Sequence, residues 1–193
     1  MHNLGKGMRK LLEENFWISS LKKSEKLHSR DGSIKYRLLL EDGKNIESVF
    51  MPHTSHNTVC ISSQVGCGMG CDFCMTGTMG LVRNLKTAEI IDQVLAVSED
   101  LAEENKLRNI VFMGMGEPLL NYQRVIEAAK IMNEKMKIGS RRITISTAGI
   151  VSKIYQMADD KLPYKLAVSL NAPNDDIRKK IMPLTCLLYT SPS

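Results

Sequence analysis

The sequence lacks any apolar run close to the ~20 residues that a membrane-spanning helix requires. Residues 1–10 also lack the apolar segment of a secretory signal, so we expect no export signal. Cysteine is scarce, with five in 193 residues, and three of the five lie within one stretch of eight residues. This distribution argues against a disulfide framework and favours a metal site in a reducing compartment, so we expect a cytoplasmic protein.

Composition is that of a soluble globular protein with one domain-sized core, since 43% of the residues are hydrophobic and 24% are charged. The net charge of +5 is compatible with a nucleic-acid partner but does not require one. Basic pairs occur at Lys22-Lys23, Arg141-Arg142 and Lys179-Lys180, and each pair alone is more typical of a solvated surface.

The clustered cysteines are Cys67, Cys71 and Cys74, spaced C-x3-C-x2-C, with Gly68 and Gly70 between them to allow a tight loop. A structural zinc site usually has four ligands in paired knuckles, but no second knuckle exists and all four histidines precede the motif. Three thiolates suit a four-iron cluster with one iron left open for a small molecule. A partial zinc site or a loop of buried cysteines is the alternative interpretation.

The first part of the chain predicts a small helix and a β-meander. Apolar residues at helical spacing indicate a helix over residues 5–16. The turn signals Asp31-Gly32 and Asp42-Gly43 separate segments of strand character. We expect a linker at 51–57, and a strand over 58–62 that leads into the cysteine loop.

The rest of the chain alternates strands and helices. Thr87 is the predicted N-cap of a helix, and further strands are predicted at 109–113, 142–146 and 165–169, each followed by a helical pattern. Four such units with nearly continuous apolar strands predict a parallel sheet covered by helices.

Small and polar residues follow each of these strands: the cysteine loop, then 114–118, Ser146-Thr147 and 169–171. Because ligands bind at the carboxyl ends of parallel strands, this placement predicts one site at one edge of the sheet. Each cluster alone is equally typical of an ordinary βα turn.

Six segments together resemble the RlmN/Cfr family of radical S-adenosylmethionine (SAM) RNA methyltransferases. They follow the family order within residues 36–183 and comprise 46–48, 60–67, 83–85, 114–121, 141–147 and 169–175. The resemblance implies an α/β fold: a partial (β/α) radical SAM barrel of about four βα units over 58–183, preceded by the helix and meander of 1–57. Residues 184–193, which include Cys186, do not match the family. Compared with the family, we expect the chain to be shortened at both ends.

The resemblance also implies cofactors and binding residues. The cofactors are a [4Fe–4S] cluster and SAM, which is cleaved in this superfamily to a 5′-deoxyadenosyl radical. Cys67, Cys71 and Cys74 would hold the cluster, and Gly116 with Glu117 would bind the SAM amino group. The ribose and carboxylate would be bound by Ser146, Ser169, Leu170 and Asn171. Relatives often have His where this chain has Asn171.

In the family, the reaction is methylation of adenine C2 in 23S rRNA and tRNA. Glu47 would remove the proton from the adenine carbon, and Cys60 would resolve a covalent protein–RNA adduct. A C-terminal cysteine carries the methyl group in the family; Cys186 does not match it, so we expect the chain alone to be inactive. The alternatives are methylation of C8, another radical SAM substrate, or a non-catalytic metal- or RNA-binding module. We expect the electron donor to be flavodoxin or ferredoxin, and no membrane partner.

Overall fold

The computed structural model describes residues 4–15, 19, 21–54, 56–101 and 106–184. Cys186 lies outside the described residues, as does the rest of 185–193. The strands in chain order are β1 (Lys22–His28), β2 (Ile34–Leu39), β3 (Asn45–Met51), β4 (Asn57–Cys60), β5 (Gln64–Cys67), β6 (Gly80–Asn84), β7 (Leu107–Phe112), β8 (Ile143–Thr147) and β9 (Lys165–Val168).

The described part of the chain also contains six α-helices: α1 (Lys6–Asn15), α2 (Met75–Thr78), α3 (Thr87–Ser98), α4 (Tyr122–Glu134), α5 (Val151–Asp159) and α6 (Asp175–Ile181). Short 3₁₀ turns cover Pro118–Asn121 and Ser140–Arg142. The prediction of Thr87 as an N-cap is wrong. Thr87 is the first helical residue, and the Glu89 carboxylate instead accepts a 2.7 Å hydrogen bond from the backbone N–H of Lys86.

One seven-stranded sheet organises the chain, in the order β1-β2-β3-β4-β7-β8-β9. The four strands from β4 to β9 in this order are parallel, as predicted. The meander is antiparallel, and its turns contain Gly32 and Gly43 at φ +85° and +77°, a conformation that glycine adopts without strain. Because β3 pairs antiparallel with β4, the sheet continues across the proposed division between residues 57 and 58.

The main hydrophobic core lies between the sheet and its helices. Ile110, Phe112 and Ile145 alternate along β7 and β8 and are almost fully buried against a set that includes Val94 of α3 and Val125 of α4. Alternation leaves the intervening side chains of these strands on the opposite, more open face. None of the described helices is long and apolar enough to cross a membrane.

A second, two-stranded sheet presents the cysteine loop, and the sequence did not predict it. β5 pairs antiparallel with β6, and the loop with α2 connects them. Gly66 sits at φ +74°, and a Cβ there would lie 1.9 Å from the carbonyl oxygen of Gly80. Only glycine permits the two strands to approach this closely, so Gly66 fixes how the loop begins.

Candidate active site

A cavity of about 510 Å³ opens at the edge of the sheet where β7, β8 and β9 end. The cysteine loop forms one wall, and the segments after the three strands form the others. Eight of the eleven residues predicted for the site line it: Cys67, Cys71, Cys74, Gly116, Glu117, Ser146, Ser169 and Asn171. The predicted convergence at the carboxyl ends of the strands is therefore present.

The three cysteines of the loop are all free thiols in this cavity. Cys67 and Cys71 are each 9% exposed and pack with Met69 and Met182, whereas Cys74 is half-buried. Burial raises the pKa of Cys67 and Cys71, and negative charge on neighbouring thiolates raises it further. Bound iron would reverse this effect, because a metal cation stabilises the thiolate form.

The donor set fits a four-iron cluster better than a single ion. Among the described residues, no three His, Cys, Asp or Glu side chains converge closely enough to ligate one metal ion. A four-iron cluster does not require that convergence, because each thiolate binds its own iron. Three soft sulfur donors on one cavity wall match the preference of iron–sulfur clusters.

Gly116 packs closely against Gln64 of β5, which leaves no room for a side chain at 116. At φ +95°, a Cβ on Gly116 would lie 2.5 Å from the Cβ of Gln64. The Gln64 side chain accepts a 2.9 Å hydrogen bond from the Glu117 N–H and donates one of 2.7 Å to Asn84. Gln64 thus anchors the loop after β7 to the hairpin that carries the cysteines.

Glu117 is a buried carboxylate, 3% exposed, that links the loops after β7 and β8. Its Oε1 accepts from the Leu119 N–H at 3.1 Å, and its Oε2 accepts from the Ala148 N–H at 2.7 Å. Burial raises its pKa, while the hydrogen bonds from Ala148, Thr147 and Leu119 oppose the rise. A carboxylate has about four acceptor positions, so capacity remains for a cationic ligand group.

Leu170 is the exception among the predicted SAM residues. Ser146, Ser169 and Asn171 line the cavity, but the Leu170 side chain is 58% exposed and does not. The Leu170 carbonyl instead accepts a hydrogen bond from Arg178 of α6.

Glu47 and Cys60 lie on the open face of the sheet, and neither lines the cavity. Val49 pairs with Cys60, and Glu47 is two residues from Val49 on the same face of β3. The Glu47 carboxylate is 45% exposed and forms a 2.9 Å ion pair with Lys35. Burial raises the pKa of the Cys60 thiol to about 11, although a hydrogen bond from the backbone of Met113, which lines the cavity, lowers it.

Several residues at the site were missed from the sequence. The most consequential are Gln64, Ser62 and Arg178, which are buried and bond to the backbone of the cavity walls. Ser62 and Gln64 lie in segment 60–67, which resembles the family, but the sequence assigned neither of them a role, and only the folded contacts reveal one. Arg178 falls within the predicted last helix, where an arginine is ordinarily a surface residue.

Known proteins are similar in sequence to most of the chain. A family model described as the radical SAM superfamily matches residues 61–185. A protein from Dictyoglomus thermophilum named as a probable dual-specificity RNA methyltransferase RlmN is 48% identical over 95% of the chain and 53% of its own length. A protein of the same name from Aquifex aeolicus is 50% identical over 96% of the chain and 54% of its own length.

A solved structure shares the fold as well as the sequence. The crystal structure of a radical SAM methyltransferase from Sphaerobacter thermophilus superposes with a TM-score of 0.89 at 43% identity. The match covers 95% of the chain and 55% of that structure. The chain thus spans about half the length of the relatives it matches.

Proposed function

The chain belongs to the radical SAM superfamily, and on that premise we propose that it carries the catalytic core of an RNA methyltransferase. The finer proposal is methylation of adenine C2 in 23S rRNA and tRNA. The observation that carries the proposed catalytic core is one cavity lined by three free cysteines, a buried carboxylate, and the ends of three parallel strands. The relatives from Dictyoglomus thermophilum and Aquifex aeolicus, each named a probable dual-specificity RNA methyltransferase, support the assignment to RNA methylation.

Binding of the cofactors falls to the cavity walls. Cys67, Cys71 and Cys74 would hold a [4Fe–4S] cluster, which together with SAM supplies a carbon radical to the reaction when bound. Glu117 would pair with the ammonium group of SAM through its remaining acceptor capacity, a charge-assisted hydrogen bond in a water-poor site.

The rest of SAM would contact the ends of β8 and β9. The Ser146 hydroxyl would bind the ribose, because a hydroxyl can both donate to and accept from a sugar hydroxyl. The segment from Ser169 to Asn171 would receive the carboxylate through its polar groups.

Glu47 would act as the base that removes a proton from the methylated adenine carbon. Its carboxylate forms a 2.9 Å ion pair with Lys35, and an ionised carboxylate has only acceptor positions, one of which can take a proton. Because 45% of its side chain is exposed, Glu47 is accessible to an adenine that enters from the open face of the sheet.

Cys60 would be the thiol that resolves the covalent protein–RNA adduct. Only a thiolate attacks efficiently, and burial keeps Cys60 protonated at neutral pH, since its pKa is raised to about 11. Cys60 must therefore lose its proton before it attacks the adduct.

The four described cysteines are thus all proposed for roles other than carrying a methyl group, and Cys186, the fifth, lies in a segment that does not match the family. We therefore propose that residues 1–193 alone do not complete methyl transfer. The C8 methyltransferase differs from this account in the target atom, and a low-potential flavodoxin or ferredoxin would supply the electron in either case.

The test begins with the anaerobically reconstituted chain, SAM and dithionite. Formation of 5′-deoxyadenosine is expected for a radical SAM core, and its absence from a cluster-loaded protein would contradict the proposal. A form of the protein that includes a methyl-carrying cysteine is then incubated with unmodified RNA. Mass spectrometry of the digested RNA should detect 2-methyladenosine; 8-methyladenosine alone would favour the C8 alternative, and no methyladenosine would reject both.

A further inference from the structure

Arg178 of α6 is almost completely buried, with 2% of its surface exposed, and its guanidinium reaches two walls of the cavity. We propose that Arg178 is a positioning residue that shapes the binding segment after β9 for the carboxylate of SAM. The inference rests on the proposed function but concerns a residue to which neither the sequence motifs nor the cavity lining assigned a role.

The guanidinium binds backbone carbonyls from two separate segments. Its Nη2 donates to the Ala148 carbonyl at 2.6 Å, and its Nη1 donates to the Ser169 carbonyl at 2.8 Å and to that of Leu170. Ala148 follows β8, whereas Ser169 and Leu170 follow β9. A planar fork with five donors can serve several acceptors at once, which a lysine ammonium cannot do in the same geometry.

The hydrogen bonds of Arg178 lie just beyond the last residue pair of β8 and β9. The last residue pair of the β8–β9 ladder is Thr147 with Val168, followed by a 2.9 Å hydrogen bond from the Ser169 N–H to the Thr147 carbonyl. Beyond it, the described residues contain no further backbone hydrogen bond between the two segments. Arg178 therefore replaces the ladder as the connection between the two walls.

Arg178 binds carbonyls of the segment after β9 and leaves the N–H groups of that segment available. The backbone N–H groups of Leu170 and Asn171 have no acceptor among the described residues. Asn171 adopts φ +52°, and successive N–H groups beside a left-handed residue form an anion-binding concavity. With its carbonyls drawn toward α6, this segment offers N–H groups to a carboxylate.

Gly149 gives the guanidinium room to reach the turn after β8. The residue has φ +110°, and a Cβ there would lie 3.3 Å from Nη2 of Arg178. A side chain at this position would crowd the guanidinium and would itself adopt a strained backbone conformation. Glycine at 149 therefore leaves the space that the Arg178 side chain occupies.

The experiment compares two ligands on the reconstituted protein by calorimetric titration. Decarboxylated SAM keeps the adenosine, the sulfonium and the amino group of SAM but lacks the carboxylate. For Arg178→Lys we expect the affinity for SAM to fall about tenfold, and the affinity for decarboxylated SAM to stay within about threefold. The exposed Arg108→Lys is the matched control and should change neither affinity.

Equal losses for both ligands would mean a merely structural role and would overturn the proposal, as would unchanged SAM affinity. If Arg178→Lys does not fold, amide exchange in the wild type still decides. SAM, but not decarboxylated SAM, should slow exchange at Leu170 and Asn171; no difference between the ligands would overturn the inference. A wild-type protein that holds its cluster but binds no SAM would instead count against the proposed function.

Discussion

The hydroxyl of Ser62 donates a 2.6 Å hydrogen bond to the backbone carbonyl of Glu47. The same oxygen accepts a 2.9 Å hydrogen bond from the Met115 N–H in the loop after β7. One buried hydroxyl therefore connects the strand that carries the proposed base to the loop that carries Glu117. Ser62 itself is fully buried, and its backbone N–H donates to Gln93 of α3 at 2.7 Å.

We predict that Ser62→Ala destabilises the protein, because it leaves the Met115 N–H without its acceptor in a buried site. The free energy of unfolding should fall by about 1–3 kcal/mol in a urea titration. The adjacent Ser63→Ala is the control: its buried hydroxyl makes only a 3.4 Å contact with the Met115 carbonyl, so the loss should be smaller. Equal losses would contradict the bridging role of Ser62.

Glu117→Gln should weaken SAM binding and also lower stability. In the wild type, the two carboxylate oxygens each accept one backbone N–H. A glutamine has one oxygen and one NH₂ group, so one of these N–H groups would face the NH₂ group, which cannot accept a hydrogen bond. We expect SAM binding to weaken by about 1–3 kcal/mol in calorimetry, the range for hydrogen bonds to charged groups. The exposed Glu127→Gln is the control, and unchanged SAM affinity in Glu117→Gln would argue against a role in binding.

Gly116→Ala should destabilise the loop after β7. The added Cβ would clash with Gln64, and the alanine would adopt a left-handed backbone conformation. Each effect should lower the free energy of unfolding by about 1–2 kcal/mol or more. Gly139→Ala is the matched control, because the nearest atom to its Cβ would be 3.9 Å away. Thermal unfolding should separate the two variants clearly, and similar melting temperatures would show that the loop relaxes at no cost.

The Cys60 thiol gives a pH prediction. Its folded pKa is raised to about 11, above the ordinary value of about 8.5, so the unfolded chain loses the proton first as pH rises. The stability linked to this thiol is fully present below pH ~8.5 and is lost as pH rises through about 11. Between these values, wild type should lose more stability than Cys60→Ala, in which the other titrating groups are unchanged. Parallel pH curves would contradict the raised pKa.

The periodic parts of the fold were predictable from the sequence. The parallel strands are apolar and the helices carry regular stripes, so their order and type follow from burial alone. β1 and the β5–β6 hairpin were not assigned residue ranges, because β1 is mostly charged and exposed, while the hairpin is interrupted by the glycine-rich cysteine loop. Pairing with neighbouring segments, rather than local pattern, makes these residues strands.

Some residues of the site were likewise predictable from the sequence, and others were not. Cys67, Cys71 and Cys74 are recognisable because their spacing is itself the signal. Gln64 and Arg178 act on backbone groups that are distant in sequence, 53 positions away for Gln64 and 30 for the Ala148 contact of Arg178. No local pattern marks such a contact, so it becomes visible only when the chain is folded.

Iron and sulfide content after anaerobic reconstitution tests the central claim most directly. The account predicts about four irons and four sulfides per chain in the wild type and in Cys60→Ala. Replacing Cys67, Cys71 or Cys74 by Ala, one at a time, should lower the content well below that value. Four irons retained in any of these three variants, or one colourless zinc bound in the wild type, would contradict it.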